Sequence, residues 1–176
     1  MLKDTRLCRY LSYLLKTPVR LYDRDGQRLA PERSIGGQED PLAADPAFEA
    51  DLLARRGEEP VFFYEEGYVL YCVIPAEKGG SFVLGPVRYM DCELPDDAGL
   101  ARTHGIRNPS LYRIAQVPMD VILESILMLY DCGSGEDRAQ DSESFRASLK
   151  QSFAHEASGR AFEISFRLRE ADSSHN

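Results

Sequence analysis

Two thiols and one guanidinium are the side chains best placed to do chemistry in this chain. Cys72 stands inside the apolar run YVLYCVI, and Cys92 follows the next apolar run closely enough to meet it, as a resolving thiol meets a reactive one. A nucleophilic thiol needs a lowered pKa, whereas Tyr71 and Val73 beside Cys72 would raise it, so packing competes with chemistry at this position. Arg88 ends a strand of apolar neighbours; it either clamps an anionic ligand or lies in solvent at the strand end. Tyr22, Phe63, Tyr71, Phe82 and Tyr89 are the candidates to line a pocket with it, since small-molecule sites join an apolar wall to a few polar groups. Core packing is the commoner use of such aromatic residues.

Other chemistries lack their residues. His104, His155 and His175 lie in separate segments, with no cysteine or carboxylate at a metal-ligand spacing, so no metal is expected. Gly36-Gly37 and Gly79-Gly80 are isolated pairs without the strand-to-helix context of a phosphate loop. No serine sits in a nucleophile elbow. No catalytic residue and no cofactor is therefore assigned. The 29 acidic residues outnumber the 21 basic ones, for a net charge of -8, and no long basic run interrupts that balance. Direct nucleic-acid binding and adsorption to an anionic membrane are both disfavoured. Four cysteines without a CxxC pair fit free thiols in a reducing compartment, and the apolar run near the N-terminus is too short for a signal peptide or a membrane span. A soluble cytoplasmic protein is expected.

The elements that must position these residues centre on Val61 to Met90. Three apolar runs, separated by turns at Glu65-Glu66-Gly67 and Glu77-Lys78-Gly79-Gly80, predict an antiparallel meander. The middle run is apolar on both faces, so a layer must cover each. Gly85-Pro86 predicts a bulge or an edge position for the third strand. Before the meander, residues 4–16 predict a helix with Leu7, Tyr10, Leu11, Leu14 and Leu15 as its apolar stripe, Ser12 outside it and Cys8 at its edge. A hairpin follows at 19–29, and then a Pro- and Gly-rich loop from Pro31 to Pro46, long enough to skirt a cavity. Asp45-Pro46 opens a helix carrying Phe48, Leu52 and Leu53 inward.

After the meander, a short helix is expected over 95–103 and an irregular apolar stretch with Leu111, Ile114 and Val117. The helix opened by Pro118 is apolar nearly all round, so it is either buried on most sides or half of an interface. Residues 134–176 read as a linker and signalling helices, with Phe145, Leu149 and Phe153 at four-residue spacing and an ambiguous helix over 160–170. Leu11, Ile122, Ile126, Leu129, Phe145, Leu149 and Phe153 are the candidates for a two-fold helical interface.

Four segments carry a family resemblance: LCRYLSYLLKTPVRLYD, FVLGPVR, VPMDVILESILMLYDCG and FRLREADSSHN. Together they resemble the N-terminal sensor module of AraC-type transcriptional regulators from Gram-positive bacteria, and the element order is similar to PAS or GAF sensor folds. The resemblance implies an α+β sensor domain over residues 1–133, binding an unknown small molecule, forming a homodimer, and leading beyond residue 176 to a helix-turn-helix domain that this chain does not contain. Some GAF-like proteins are free-methionine sulfoxide reductases, which makes a Cys72/Cys92 reductase the enzymatic alternative. A module that only dimerises is the third.

Overall fold

The alternation of the apolar runs is realised as one five-stranded sheet. The computed structural model describes residues 2–30, 38–133, 144 and 146–151. Strands β1 (Val19–Tyr22), β2 (Arg28–Ala30), β3 (Val61–Glu65), β4 (Val69–Pro75) and β5 (Ser81–Arg88) pair in the order β2-β1-β5-β4-β3, with every pairing antiparallel. With helices layered on both faces, this is an α+β, PAS/GAF-like fold.

β5 occupies the centre of the sheet, between β1 and β4. Of the two positions open to a strand containing Gly85-Pro86, the edge is thus excluded and the irregular one is adopted. The pairing with β4 slips between Leu70 and Cys72, opposite Gly85, which has φ +128°. The break in the ladder lets the proline sit in a central strand.

The register divides the sheet side chains between two faces. Arg20 is opposite Val83, and Tyr71 is opposite Phe63. Arg20, Tyr22, Phe63, Val69, Tyr71, Val73 and Val83 therefore share one face, and Leu21, Leu70, Cys72, Ile74, Phe82 and Leu84 the other. Over the first face lie α2 (Pro41–Ala44), α3 (Pro46–Ala54) and α4 (Asp97–Thr103), contributing Leu42, Phe48, Leu52 and Leu53 to one core cluster and Leu100 and Ala101 to a second. The second face is covered by α1 (Leu2–Leu15) and α5 (Met119–Gly133), which touch each other and reach β1 and β4.

The wheel of α1 is rotated from the predicted one. Cys8, Leu11, Ser12 and Leu15 are buried, while Tyr10, Tyr13 and Leu14 are 55%, 69% and 76% exposed. Ser12 decides the difference: its hydroxyl accepts from the Val19 N–H at 2.9 Å and donates to the Cys8 carbonyl at 2.6 Å. It thereby supplies the partner that the chain needs on entering β1. In α5, Ile122, Leu123, Ile126, Leu127 and Leu129 are interior and only a stripe including Val121 and Met128 is exposed. Leu11, Ile122, Ile126 and Leu129 are thus committed to the protomer's own core, a correction to their assignment as interface residues. Among the described side chains, the large apolar ones exposed at the surface of these helices are Tyr10, Tyr13, Leu14, Val121 and Met128.

The predicted loop 31–46 is also corrected over its second half. Asp40 caps the short helix α2, Pro41 sits at its first position, and Leu42 is fully buried. Residues 31–37 lie outside the described residues. The chain forms two compact units, Met1–Asp137 and Arg138–Asn176. In the second, residues 146–151 are helical and include Leu149; Phe145, Phe153 and the 160–170 segment lie outside the described residues.

Candidate functional site

An arginine lies at the centre of the face covered by α2 and α3. Arg20 points inward because it alternates with Val19 and Leu21, and it is fully buried. Its guanidinium donates from Nε and Nη2 to the two Asp40 carboxylate oxygens, at 2.9 and 2.7 Å, and to the Val83 and Gly85 carbonyls at 3.2 and 2.8 Å. A buried guanidinium demands such a set of acceptors, because taking it out of water costs several kcal/mol. Arg28 donates to the same Asp40, and Tyr22 donates from its hydroxyl to Glu49 at 2.7 Å. Burial by itself would raise the Asp40 carboxyl; the two guanidiniums outweigh it and hold the group well below the usual carboxylate range. Burial pushes the Tyr22 phenol up, so this tyrosine is a neutral donor. The result is a charge-balanced network, Arg20–Asp40–Arg28–Tyr22–Glu49, buried at its Arg20–Asp40 centre and about a quarter exposed at Arg28 and Glu49.

A second constellation joins α3, β3 and α4. His104, the C-cap of α4, faces Asp45 Oδ2 with Nδ1 at 2.9 Å and Glu65 Oε2 with Nε2 at 2.8 Å. Its ring stacks on Phe48, which also meets the rings of Tyr71 and Phe63.

The predicted site residues separate accordingly. Tyr22, Phe63 and Tyr71 are brought together on the network face. Phe82 is not among them; it projects from the opposite face toward the α1/α5 layer, because it is one residue from Val83 on the same strand. Tyr89 packs edge-on against Tyr64 and Tyr68. Arg88 is buried, contrary to the solvent reading, and two of its nitrogens are engaged: Nε donates to the Gly67 carbonyl and Nη2 to Asp97 Oδ1, both at 2.8 Å. Asp97 in turn accepts from the Ile114 N–H. Arg88 therefore ties the β3–β4 turn to α4, and the anion-clamp role is corrected to a structural one.

The two candidate thiols stay apart. Cys92 Sγ is 3.8 Å from where a Cβ on Gly67 would stand, whereas Cys72 lies three residues along β4 from Val69, about 10 Å farther at the usual strand rise. A disulfide needs Cα atoms within about 7 Å. Cys8 and Cys72 are buried and Cys92 and Cys132 half-buried, and burial pushes the Cys8 thiol up to about 12. Titration with an aromatic disulfide reagent should therefore release two thiols rapidly from the native protein, Cys92 and Cys132, and the other two only after denaturation. Prompt release of all four would show that the core opens readily.

The outer surface of the same layer holds a pocket of about 480 Å³, lined by Gln38, Glu39, Ile106, Arg107, Asn108, Leu111 and Tyr112. This volume is in the range of small-molecule sites. Gln38 and Glu39 hold its wall through acceptor oxygens on the Arg113 and Arg107 N–H groups at 2.7 and 2.9 Å. They immediately precede Asp40, so the pocket wall continues directly into the buried network. None of these pocket residues was a candidate site residue in the sequence; Leu111 was read only as part of an apolar stretch. Two legible signals pointed to the network: Arg20 shares the alternation of Tyr22, and Asp40-Pro41 repeats the cap signature of Asp45-Pro46.

Among the described residues, no group of three His, Cys, Asp or Glu side chains is arranged to hold a metal ion, and no helix is long and apolar enough to cross a membrane. Comparison with known proteins yields no match, whether to a family model, a curated protein or a solved structure.

Proposed function

We propose that this chain is the ligand-sensing domain of an AraC-type bacterial transcriptional regulator, acting as a homodimer and without catalysis of its own. The observation that carries the reading is the different use of the two sheet faces. One bears a pocket continuous with a buried charge network; the other bears α1 and α5, adjacent helices that leave Tyr10, Tyr13, Leu14, Val121 and Met128 exposed. The contacts between them are contiguous. Gln38 and Glu39 in the pocket wall lead to Asp40, Asp40 grips Arg20, Arg20 neighbours Val19, and the Val19 N–H is held by Ser12 of α1. A small molecule that favours one placement of residues 38–40 would bias the packing of α1 and α5 by its difference in affinity for the two arrangements.

Native mass spectrometry of the purified chain tests the reading. A dimeric mass, with a small molecule retained or added by a screen, is expected. The paired change Tyr13→Glu and Leu14→Glu should convert the dimer to monomer with little loss of thermal stability, because both side chains are already exposed. A monomer at every concentration, with no small molecule bound, would overturn it. A dimer that binds none would favour a module that only dimerises.

A further inference from the structure

The sheet-covering helices α3 and α4 are joined to β3 by one imidazole. We propose that Asp45, Glu65 and His104 form a protonation-dependent latch, which holds α3 and α4 on the sheet and loosens when the ring loses its proton. The geometry carries this. His104 is only 6% exposed, and each ring nitrogen faces a carboxylate oxygen within 3 Å. A carboxylate only accepts, so both contacts are hydrogen bonds only when both nitrogens carry protons, that is, as the imidazolium. The neutral ring keeps one N–H; its other nitrogen then sets a lone pair against a carboxylate, with the ring itself shielded from solvent.

Three elements meet at this ring. Asp45 caps α3, accepting from the Phe48 N–H at 3.1 Å, Glu65 ends β3, and His104 ends α4. Among the described residues, the charged groups facing the imidazole are Asp45 from the start of α3 and Glu65 from β3, and Phe48 of α3 covers its plane. Behind Glu65 stands Tyr71, kept neutral by burial. Burial favours the uncharged imidazole, but the hydrogen bonds and charges of Glu65 and Asp45 prevail and raise its pKa above the ordinary value.

The sign follows. With the folded pKa above the unfolded value of about 6.5, the latch contribution is complete below that value and is lost as pH rises through the folded pKa. The Asp45 carboxyl is lowered, first by its bond to His104 and then by the Phe48 N–H, so its contribution is present above the ordinary carboxylate range and lost in acid. The latch is therefore strongest in mildly acidic solution and releases on the alkaline side.

Proton NMR of the full chain can follow the C2–H signals of His104, His155 and His175 through a pH titration, with amide exchange measured in parallel. The expected result is that His104 titrates above the ordinary histidine value and that Asp45→Asn, which retains a capping side chain, lowers its midpoint. Between about pH 6 and about pH 8.5, amide protection in α3 and α4, corrected for intrinsic exchange, should fall on the order of tenfold relative to β4 and β5. His104→Phe keeps the stack on Phe48 and should abolish that pH dependence. A His104 midpoint at or below the ordinary value, or protection in α3 and α4 that is flat with pH, would overturn the latch. If His104→Phe does not fold, the wild-type titration and Asp45→Asn decide the matter.

Discussion

Asp40→Ala is expected to lower the unfolding free energy by about 3–5 kcal/mol, a large share of the stability of a domain this size. The loss arises mainly from what remains: Arg20, fully buried, would keep only the Val83 and Gly85 carbonyls for a full positive charge. The α2 cap on the Leu42 N–H would vanish as well. Asp40→Asn separates the two effects, because asparagine caps a helix as well as aspartate does but carries no charge. Most of the loss should persist in that variant. Urea unfolding followed by circular dichroism measures both, and a loss below about 1 kcal/mol for Asp40→Ala would mean that the guanidinium finds water or another anion. The acid limb gives an independent check. Since the folded carboxyl lies below its unfolded value of about 3.9, its contribution is present above that pH and lost as pH falls, so Asp40→Asn should flatten the acid dependence of stability.

Gly85→Ala should be comparably damaging for a steric reason. Gly85 has φ +128°, a region that side-chain-bearing residues rarely adopt, and an added Cβ would lie 2.7 Å from the Leu70 carbonyl oxygen and 3.0 Å from the Tyr71 Cα. Both obstacles are backbone atoms of the neighbouring central strand, so no rotamer change relieves them. A cost of about 3 kcal/mol is expected, lowering the melting temperature by roughly 6–12 °C. Gly57→Ala is the matched control, since nothing lies within 4 Å of a Cβ there. Calorimetry of the two variants should show a large fall for the first and a near-native transition for the second. Equal melting temperatures would mean that the β4–β5 contact at Gly85 is looser than described.

Both effects concern features that the sequence displayed unequally. Gly85-Pro86 announced an interruption, but whether at an edge or in the centre depended on β1 joining β5 across about sixty residues, which no local pattern encodes. The Asp40–Arg20 pair was harder to see. Arg20 alternates with Tyr22 and so had to share its face, and Asp40-Pro41 carries a helix-cap signature, yet the surrounding prolines and glycines suggested a surface loop. Only the folded chain makes that aspartate the counter-ion of a buried arginine.

Period-two and period-3.6 patterns are local, and they were enough to specify the meander, the hairpin, the helices opened at Pro46 and Pro118, and the need for a layer on each sheet face. The choice of face within each element was less secure. The apolar stripe of α1 pointed to Tyr10 and Leu14, but Ser12 turned inward because β1 needed a hydrogen-bond partner at Val19. Phe82 and Tyr71 looked alike as aromatic strand residues, and the register placed them on opposite sides. Arg88 and His104 were visible as charged or titratable residues, while their partners Asp97, Asp45 and Glu65 became partners only when distant segments met. Composition and periodicity thus determined most of the elements, α2 excepted, and that they enclose the sheet. Tertiary structure alone decided which charges are buried together, because the cost of burying a charge is met by residues far apart in the chain.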